Sequence, residues 1–122
     1  MLKDAYLNLL SNVITALVYP NSEQSVTPSF WQSISLKPSG LDFEARATGS
    51  DWPLYGISMI GTARLRNIRE ALEASQRGGV PGDFVECGVW RGGGSAYAAA
   101  VLKAAPNATS QRSIWLLDSF KG

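Results

Sequence analysis

The chain has 122 residues, a formal net charge of +1, one cysteine and no histidine. This length allows one small domain, and the near-neutral charge gives no electrostatic argument for nucleic-acid binding. A single cysteine excludes an internal disulfide, and the lack of histidine excludes Ser-His-Asp, Cys-His and histidine–metal sites built from this chain alone. No apolar run approaches the roughly 20 residues of a membrane span, and the N-terminus does not resemble a secretory signal. We therefore expect a cytoplasmic protein with neither nucleic acid nor membrane as a partner.

The first predicted element is an amphipathic helix. Apolar side chains recur at helical spacing from Leu2 to Tyr19, and Pro20 ends the pattern. Two interpretations of the apolar face stay open: packing on the rest of the domain, or docking of a partner or a second copy in a homo-oligomer. The stretch from Asn21 to Pro53 is polar and shows no sustained period, which predicts either a lid over a substrate or a flexible connector.

The second half of the chain alternates helices and strands. A helix is predicted over Ile57–Arg77, with Gly78-Gly79 supplying a left-handed end. A strand over Phe84–Cys87 and a helix over Ser95–Ala105 follow.

A second strand over Ser113–Asp118 completes a β-α-β unit. This order predicts an α/β fold, the first part of a Rossmann-like parallel sheet. Two parallel strands make a poor core alone, so we expect an N-terminal part of a longer protein. Residues 1–56 would form a helix with a lid or linker, and residues 57–122 the first part of a cofactor-binding domain.

A glycine-rich turn joins the first of these strands to the following helix. Its sequence is Phe84-Val85-Glu86-Cys87-Gly88-Val89-Trp90-Arg91-Gly92-Gly93-Gly94-Ser95. Strand, tight turn and helix N-terminus in this order are typical of the floor of a nucleoside-cofactor site. The spacing is neither that of a P-loop nor that of a dinucleotide fingerprint, which favours a cofactor without a diphosphate, such as S-adenosylmethionine. Asp118, at the end of the second strand, is placed to accept hydrogen bonds from ribose hydroxyls.

Four residues of this stretch have alternative interpretations, and a fifth, Cys87, has one. Glu86 contacts the cofactor or holds the turn through backbone N–H groups. Arg91 pairs with the methionine carboxylate or has a structural role, and Trp90 packs over adenine or closes the turn. Ser95 is first a helix N-cap and second a cofactor hydrogen bond. Cys87 is expected to be a small buried apolar residue.

These segments resemble the macrocin O-methyltransferase family. The resemblance rests on Val80-Pro81-Gly82-Asp83-Phe84-Val85-Glu86-Cys87-Gly88-Val89-Trp90-Arg91-Gly92-Gly93, on Leu117-Asp118-Ser119-Phe120-Lys121-Gly122, and on the upstream strings Asp51-Trp52-Pro53, Ser58-Met59-Ile60-Gly61 and Arg64-Leu65-Arg66-Asn67. It implies a class I methyltransferase fold, S-adenosylmethionine as cofactor, and a small-molecule acceptor hydroxyl on a sugar or natural product.

The resemblance also implies which residues bind the cofactor. They are Met59, Ile60, Glu86, Cys87, Gly88, Val89, Trp90, Arg91, Ser95, Asp118, Ser119, Phe120, Lys121 and Gly122. Family members use magnesium held by acidic residues, and a carboxylate base, in a C-terminal half that this chain lacks. We therefore assign no metal ligand and no catalytic residue here, and expect the chain to be inactive alone.

Two other function classes stay open. A nicotinamide-dependent oxidoreductase fragment would also use Asp118 on a ribose, although the spacing of the turn disfavours it. The other alternative is a non-catalytic helical docking module whose glycine-rich turn binds nothing.

Overall fold

The computed structural model describes residues 1–22, 40–105 and 112–121, and the backbone alone of residues 25–26. The described elements, in chain order, are α1 (Leu2–Ile14), β1 (Ser25–Val26), α2 (Phe43–Thr48), β2 (Trp52–Pro53), α3 (Gly61–Arg77), β3 (Phe84–Cys87), α4 (Gly93–Lys103) and β4 (Ile114–Leu117). β1 and β2 pair antiparallel, and β3 and β4 pair parallel. The predicted α/β class with a parallel β-α-β unit is confirmed.

The first helix is shorter than predicted, because it ends at Ile14 and not at Tyr19. Ala16 takes a left-handed conformation with φ 58°. The N–H of Ala16 then bonds to Val13 O, and that of Leu17 to Asn12 O at 2.8 Å. This is the Schellman pattern that satisfies the last carbonyls of a helix. It is usually formed by glycine, so the sequence offered no indication of it.

A short helix, α2, lies within the stretch for which no element was predicted. The Asp42 side chain accepts the N–H of Ala45 at 2.9 Å, and left-handed Gly49 ends the helix. Aspartate at an N-cap and glycine at the end are the usual boundaries of a helix. The sequence therefore contained both boundary residues, but the helix between them has only six residues and shows no apolar period. The lid and connector interpretations depend mainly on residues 27–39, which lie outside the described residues.

The third helix begins at Gly61, later than the predicted start at Ile57. The residues before it are committed to other partners: Ile57 N–H bonds to Ile14 O, and Ile57 O accepts the Gly93 N–H, both at 2.9 Å. These bonds hold Ile57 in the irregular connection between β2 and α3. At the far end, Gly79 with φ 62° supplies the predicted left-handed residue, whereas Gly78 stays right-handed.

The core lies where α1, α3 and α4 meet one face of the parallel strands. Its buried residues are Leu7, Ile14, Leu65, Leu72, Tyr97, Ala98, Ala100 and Val101, and Phe84 and Ile114 pack against them from the sheet. The predicted apolar face of α1 therefore packs at least in part on the domain. Leu2, Tyr6, Leu9 and Val13 remain exposed among the described residues.

The opposite face of the sheet is open in the part of the chain that the structure describes. Val85, Trp115 and Leu117 are all about half exposed, and Cys87 is exposed beside them. Strand side chains alternate between the two faces, and Cys87 falls on the uncovered one. The prediction that Cys87 is buried was therefore wrong.

No helix in the described ranges is both long enough and apolar enough to cross a membrane.

Candidate functional site

The site is the turn between β3 and α4, residues 88–92, which we call the glycine loop. Gly88 donates to Leu117 O at 2.9 Å, and both Gly88 (φ 82°) and Gly92 (φ 81°) are left-handed. A Cβ added at Gly88 would meet no atom within 4 Å. The left-handed backbone requires glycine here, and the empty space beside it allows a ligand to lie directly on the main chain.

Asp118 fastens the glycine loop to the end of β4. Its Oδ2 accepts the N–H groups of Val89 at 2.6 Å and Trp90 at 3.3 Å, and its Oδ1 accepts the N–H of Phe120 at 3.1 Å. These donors, Phe120 first, hold the pKa of the Asp118 carboxyl below its usual range. The side chain remains exposed, so a ligand can still reach the carboxylate.

Glu86 holds the first turn of α4. The Ser95 hydroxyl donates to the Glu86 carboxylate, and a side chain at Gly94 would run into the same carboxylate. These contacts agree with the interpretation of Glu86 as a residue that holds the turn. Its partner, however, is the Ser95 hydroxyl and not the expected backbone N–H groups. Ser95 is not the N-cap, since Gly92 holds that position; the prediction was wrong because the helix starts two residues earlier, at Gly93.

Arg91 reaches out of the glycine loop toward the chain before α3. Its Nη1 donates to Gly56 O at 2.9 Å, to Leu54 O at 3.1 Å and, at the limit, to Pro53 O at 3.5 Å. The guanidinium also lies 4.2 Å from the centre of the Trp90 ring, within the range of a cation–π contact. The described contacts of Arg91 and Trp90 are therefore those of residues that close the loop.

A second link joins the same two parts of the chain through their backbones. Ile57 O accepts the Gly93 N–H, and a Cβ at Gly93 would overlap Ile57 and Ser58. We call residues 51–57 the linking segment. It leads directly to Met59 and Ile60, which are half-buried; Ile60 packs against the core.

The structure brings most of the predicted site residues together and leaves Met59 and Ile60 without a hydrogen bond to them in the described ranges. Residues 86–95 and Asp118 meet at the carboxyl ends of the strands, and Phe120 joins them through its bond to Asp118. Ser119 accepts the Lys121 N–H at 3.4 Å, while Gly122 lies outside the described residues. Within the described ranges, no hydrogen bond joins Met59 or Ile60 to the glycine loop.

Three structural residues near the site were not predicted. Asp83 accepts the Ser113 N–H and the Trp115 indole N–H, both at 2.8 Å, and so fastens the start of β4. Arg46 and Asp51 form an ion pair, 1% and 3% exposed, with Nη2 to Oδ2 at 2.9 Å. The spacing of the residues does not indicate that these charges pair. The only signal in the sequence was that Asp51 belongs to the Asp51-Trp52-Pro53 string, one of those on which the resemblance rests.

No group of three histidine, cysteine, aspartate or glutamate side chains within the described ranges is arranged to hold a metal ion. The resemblance places the magnesium ligands in a C-terminal half outside this sequence, so no residue of the glycine loop is assigned to a metal.

The chain matches known methyltransferases over almost its whole length. The family model described as Macrocin-O-methyltransferase (TylF) matches residues 3–122. The 8-demethyl-8-(2,3-dimethoxy-alpha-L-rhamnosyl)-tetracenomycin-C 4'-O-methyltransferase of Streptomyces olivaceus is 38% identical over 98% of this chain and 42% of its own length. Mycinamicin III 3''-O-methyltransferase of Micromonospora griseorubida is 35% identical, over 98% of this chain and 43% of its own.

A solved structure agrees in three dimensions. The structure of the O-methyltransferase NovP superposes with a TM-score of 0.76 at 35% identity, and the match covers 98% of this chain and 43% of that one. The chain therefore spans less than half the length of the relatives it matches. Since the family model covers nearly every residue, the chain belongs to the macrocin O-methyltransferase (TylF) family.

Proposed function

We propose that the chain forms part of the cofactor pocket of an S-adenosylmethionine-dependent O-methyltransferase whose acceptor is a hydroxyl of a natural product. The observation that carries the proposal is the open glycine loop at the carboxyl ends of two parallel strands, fastened to the Asp118 carboxylate. Ligands of open α/β sheets bind at this edge. The chain spans about 42% of the length of the Streptomyces olivaceus relative. Methyl transfer is therefore part of what we propose.

The geometry of the loop favours a nucleoside cofactor without a diphosphate. The N–H groups of Val89 and Trp90 are taken by Asp118, and that of Gly93 by Ile57 O. These backbone groups are the ones that would otherwise cradle a pyrophosphate at a helix N-terminus. The exposed Asp118 carboxylate retains the character of an acceptor for ribose hydroxyls, which is the adenosine end of S-adenosylmethionine.

The chemistry divides between binding and transfer. S-adenosylmethionine supplies, when bound, a methyl group on a positively charged sulfur. The residues of this chain would bind and orient that cofactor so that the acceptor oxygen approaches the methyl carbon in line. A base must take the acceptor proton, and we assign none to this chain.

The acceptor class comes from the relatives. The Streptomyces olivaceus enzyme is named for a rhamnosyl-tetracenomycin acceptor. A third relative, from Streptomyces niveus, is a demethyldecarbamoylnovobiocin O-methyltransferase, 38% identical over 96% of this chain and 42% of its own length. We propose that the acceptor here is likewise a natural-product hydroxyl, on a sugar where the product is glycosylated.

Calorimetric titration and thermal melting of the 122-residue chain with S-adenosylhomocysteine test the cofactor assignment. A saturable heat and a raised melting temperature are expected, because a ligand stabilises the state that it binds. NAD is the control ligand: stabilisation by NAD alone would favour the oxidoreductase alternative. A cooperative melt that neither ligand shifts, together with a defined oligomer in sedimentation, would favour the docking module.

A further inference from the structure

We infer that Arg91 is a positioning residue that fixes the linking segment, residues 51–57, against the glycine loop, and thereby sets the width of the cofactor pocket. The inference rests on the proposed function for its ligand, but its geometry stands on the structure alone. Arg91 reaches across from the loop to three carbonyls of the segment, those of Pro53, Leu54 and Gly56. No other side chain of the glycine loop contacts the linking segment by a hydrogen bond in the described part of the chain.

The linking segment is already fixed on its other side. The Asp51 carboxylate accepts Arg46 Nε at 3.0 and 3.1 Å, and Arg46 Nη1 donates to Thr15 O at 2.6 Å, just after α1 ends. Ile57 N–H bonds to Ile14 O. Both ends of the segment are thus attached near the end of α1, through Arg46 to Thr15 and directly to Ile14. The contacts from the glycine loop attach the segment on its other side.

The loop and the start of α4 contribute two contacts of different kinds. One is the backbone N–H of Gly93, the first residue of α4, on Ile57 O, which involves no side chain. The other is the Arg91 guanidinium, which bonds to Leu54 O and Gly56 O. A planar guanidinium can donate in several directions while one face lies on an aromatic ring, and Arg91 does so over Trp90. Lysine has a single compact ammonium and cannot reproduce both contacts.

The consequence concerns the wall of the pocket. Met59 and Ile60, which the resemblance places at the cofactor, lie two and three residues beyond Ile57. A guanidinium that holds residues 53–56 over the loop keeps this wall at a fixed distance from Gly88, where the backbone is open to a ligand. Loosening Arg91 is therefore expected to widen the pocket.

The test compares Arg91→Lys and Arg91→Ala with the unchanged chain, and uses Arg64→Lys as the matched control, since Arg64 is exposed on α3 and makes no ion pair with a described residue. Amide hydrogen exchange is followed at Gly93, which bonds to the linking segment, and at Gly88, which bonds to Leu117 within the sheet. Affinity for S-adenosylhomocysteine is measured by calorimetry on the same samples.

In both Arg91 variants we expect faster exchange at Gly93, unchanged exchange at Gly88, and about tenfold weaker binding, as hydrogen bonds from a charged donor are lost. Millimolar guanidinium should restore part of the Gly93 protection in Arg91→Ala, which a general loss of stability would not allow. Unchanged Gly93 exchange in both variants would overturn the inference. So would equal loss at Gly88 and Gly93, because that result describes unfolding and not positioning.

The two proposals fail separately. If the unchanged chain does not bind S-adenosylhomocysteine, the cofactor assignment fails for this chain, and the exchange at Gly93 still decides whether Arg91 fixes the linking segment. If the ligand binds equally to all variants while Gly93 is loosened, the cofactor assignment stands and the role of Arg91 in the pocket is refuted.

Discussion

The Asp118 carboxylate accepts the backbone N–H of Val89 at 2.6 Å across 29 positions of the sequence. This bond joins the carboxyl ends of β3 and β4, and the neighbouring Trp90 N–H reinforces it. An acid at this edge of the sheet was expected to serve a ligand. In the structure it fixes the shape of the glycine loop beside it.

Asp118→Asn is therefore expected to weaken S-adenosylhomocysteine binding by about tenfold, because hydrogen bonds to an ionised acceptor are roughly twice as strong as those to a neutral one. The substitution keeps the size of the side chain and one acceptor oxygen. Titration calorimetry measures the change. Glu70→Gln, which removes an exposed carboxylate of α3 that has no ion pair in the described ranges, should bind like the unchanged chain; equal affinity of both variants would contradict the role of Asp118.

Gly93→Ala should lower the stability of the chain by about 1–3 kcal/mol, the usual cost of overpacking. A Cβ at this position would overlap the Ile57 carbonyl and lie 2.7 Å from Ser58 Cβ. Gly78→Ala is the matched control, since its Cβ would meet nothing nearer than 3.4 Å and the backbone is right-handed there. Urea unfolding of both variants checks this. A stable Gly93→Ala chain would show that the linking segment does not lie against α4.

The regular parts of the fold could be predicted because the evidence for them is local. Alternation of apolar runs and glycine turns predicted β3 over Phe84–Cys87, and the structure has those same bounds. The Gly78-Gly79 pair likewise predicted the end of α3, with Gly79 as the left-handed residue.

What could not be predicted depends on tertiary contacts. Ala16 is left-handed without the usual glycine, so the end of α1 had no local mark. The bonds of Arg91 to residues 53–56 join positions 35 to 38 apart. No period or spacing in the sequence indicates such a pairing, and Arg91 was accordingly left with two interpretations. Cys87 is exposed because no described element covers its face of the sheet, which strand alternation alone does not reveal.

Arg46→Met is expected to destabilise the fold by about 3–5 kcal/mol, since it leaves the buried Asp51 carboxylate without its cation. The pair is 1% and 3% exposed, so little solvent screens the Asp51 charge once Arg46 is replaced. The double variant Arg46→Met with Asp51→Leu should recover part of the loss, because it removes the buried carboxylate together with the guanidinium. Urea unfolding of the single and double variants measures their free energies of unfolding. A double variant less stable than Arg46→Met would show that Arg46 and Asp51 are not energetically coupled.

Asp83 gives the fold a dependence on pH. The Trp115 indole N–H, and then the Ser113 N–H, lower the pKa of the Asp83 carboxyl from its ordinary value of 3.8. A carboxyl whose pKa is lower in the folded state stabilises the fold above the unfolded-state pKa, and this contribution is lost as the pH falls through the folded-state pKa. Asp83→Asn should therefore melt below the unchanged chain at neutral pH.

The difference in melting temperature between the two chains should shrink as the pH falls from about 6 toward about 2. Asp4, Glu73 and Asp118 also have lowered pKa values, so both chains lose stability in acid, and only the difference between them isolates Asp83. Glu70→Gln controls for the removal of one negative charge. A difference that stays constant across this range would show that Asp83 holds β4 by shape and not by charge.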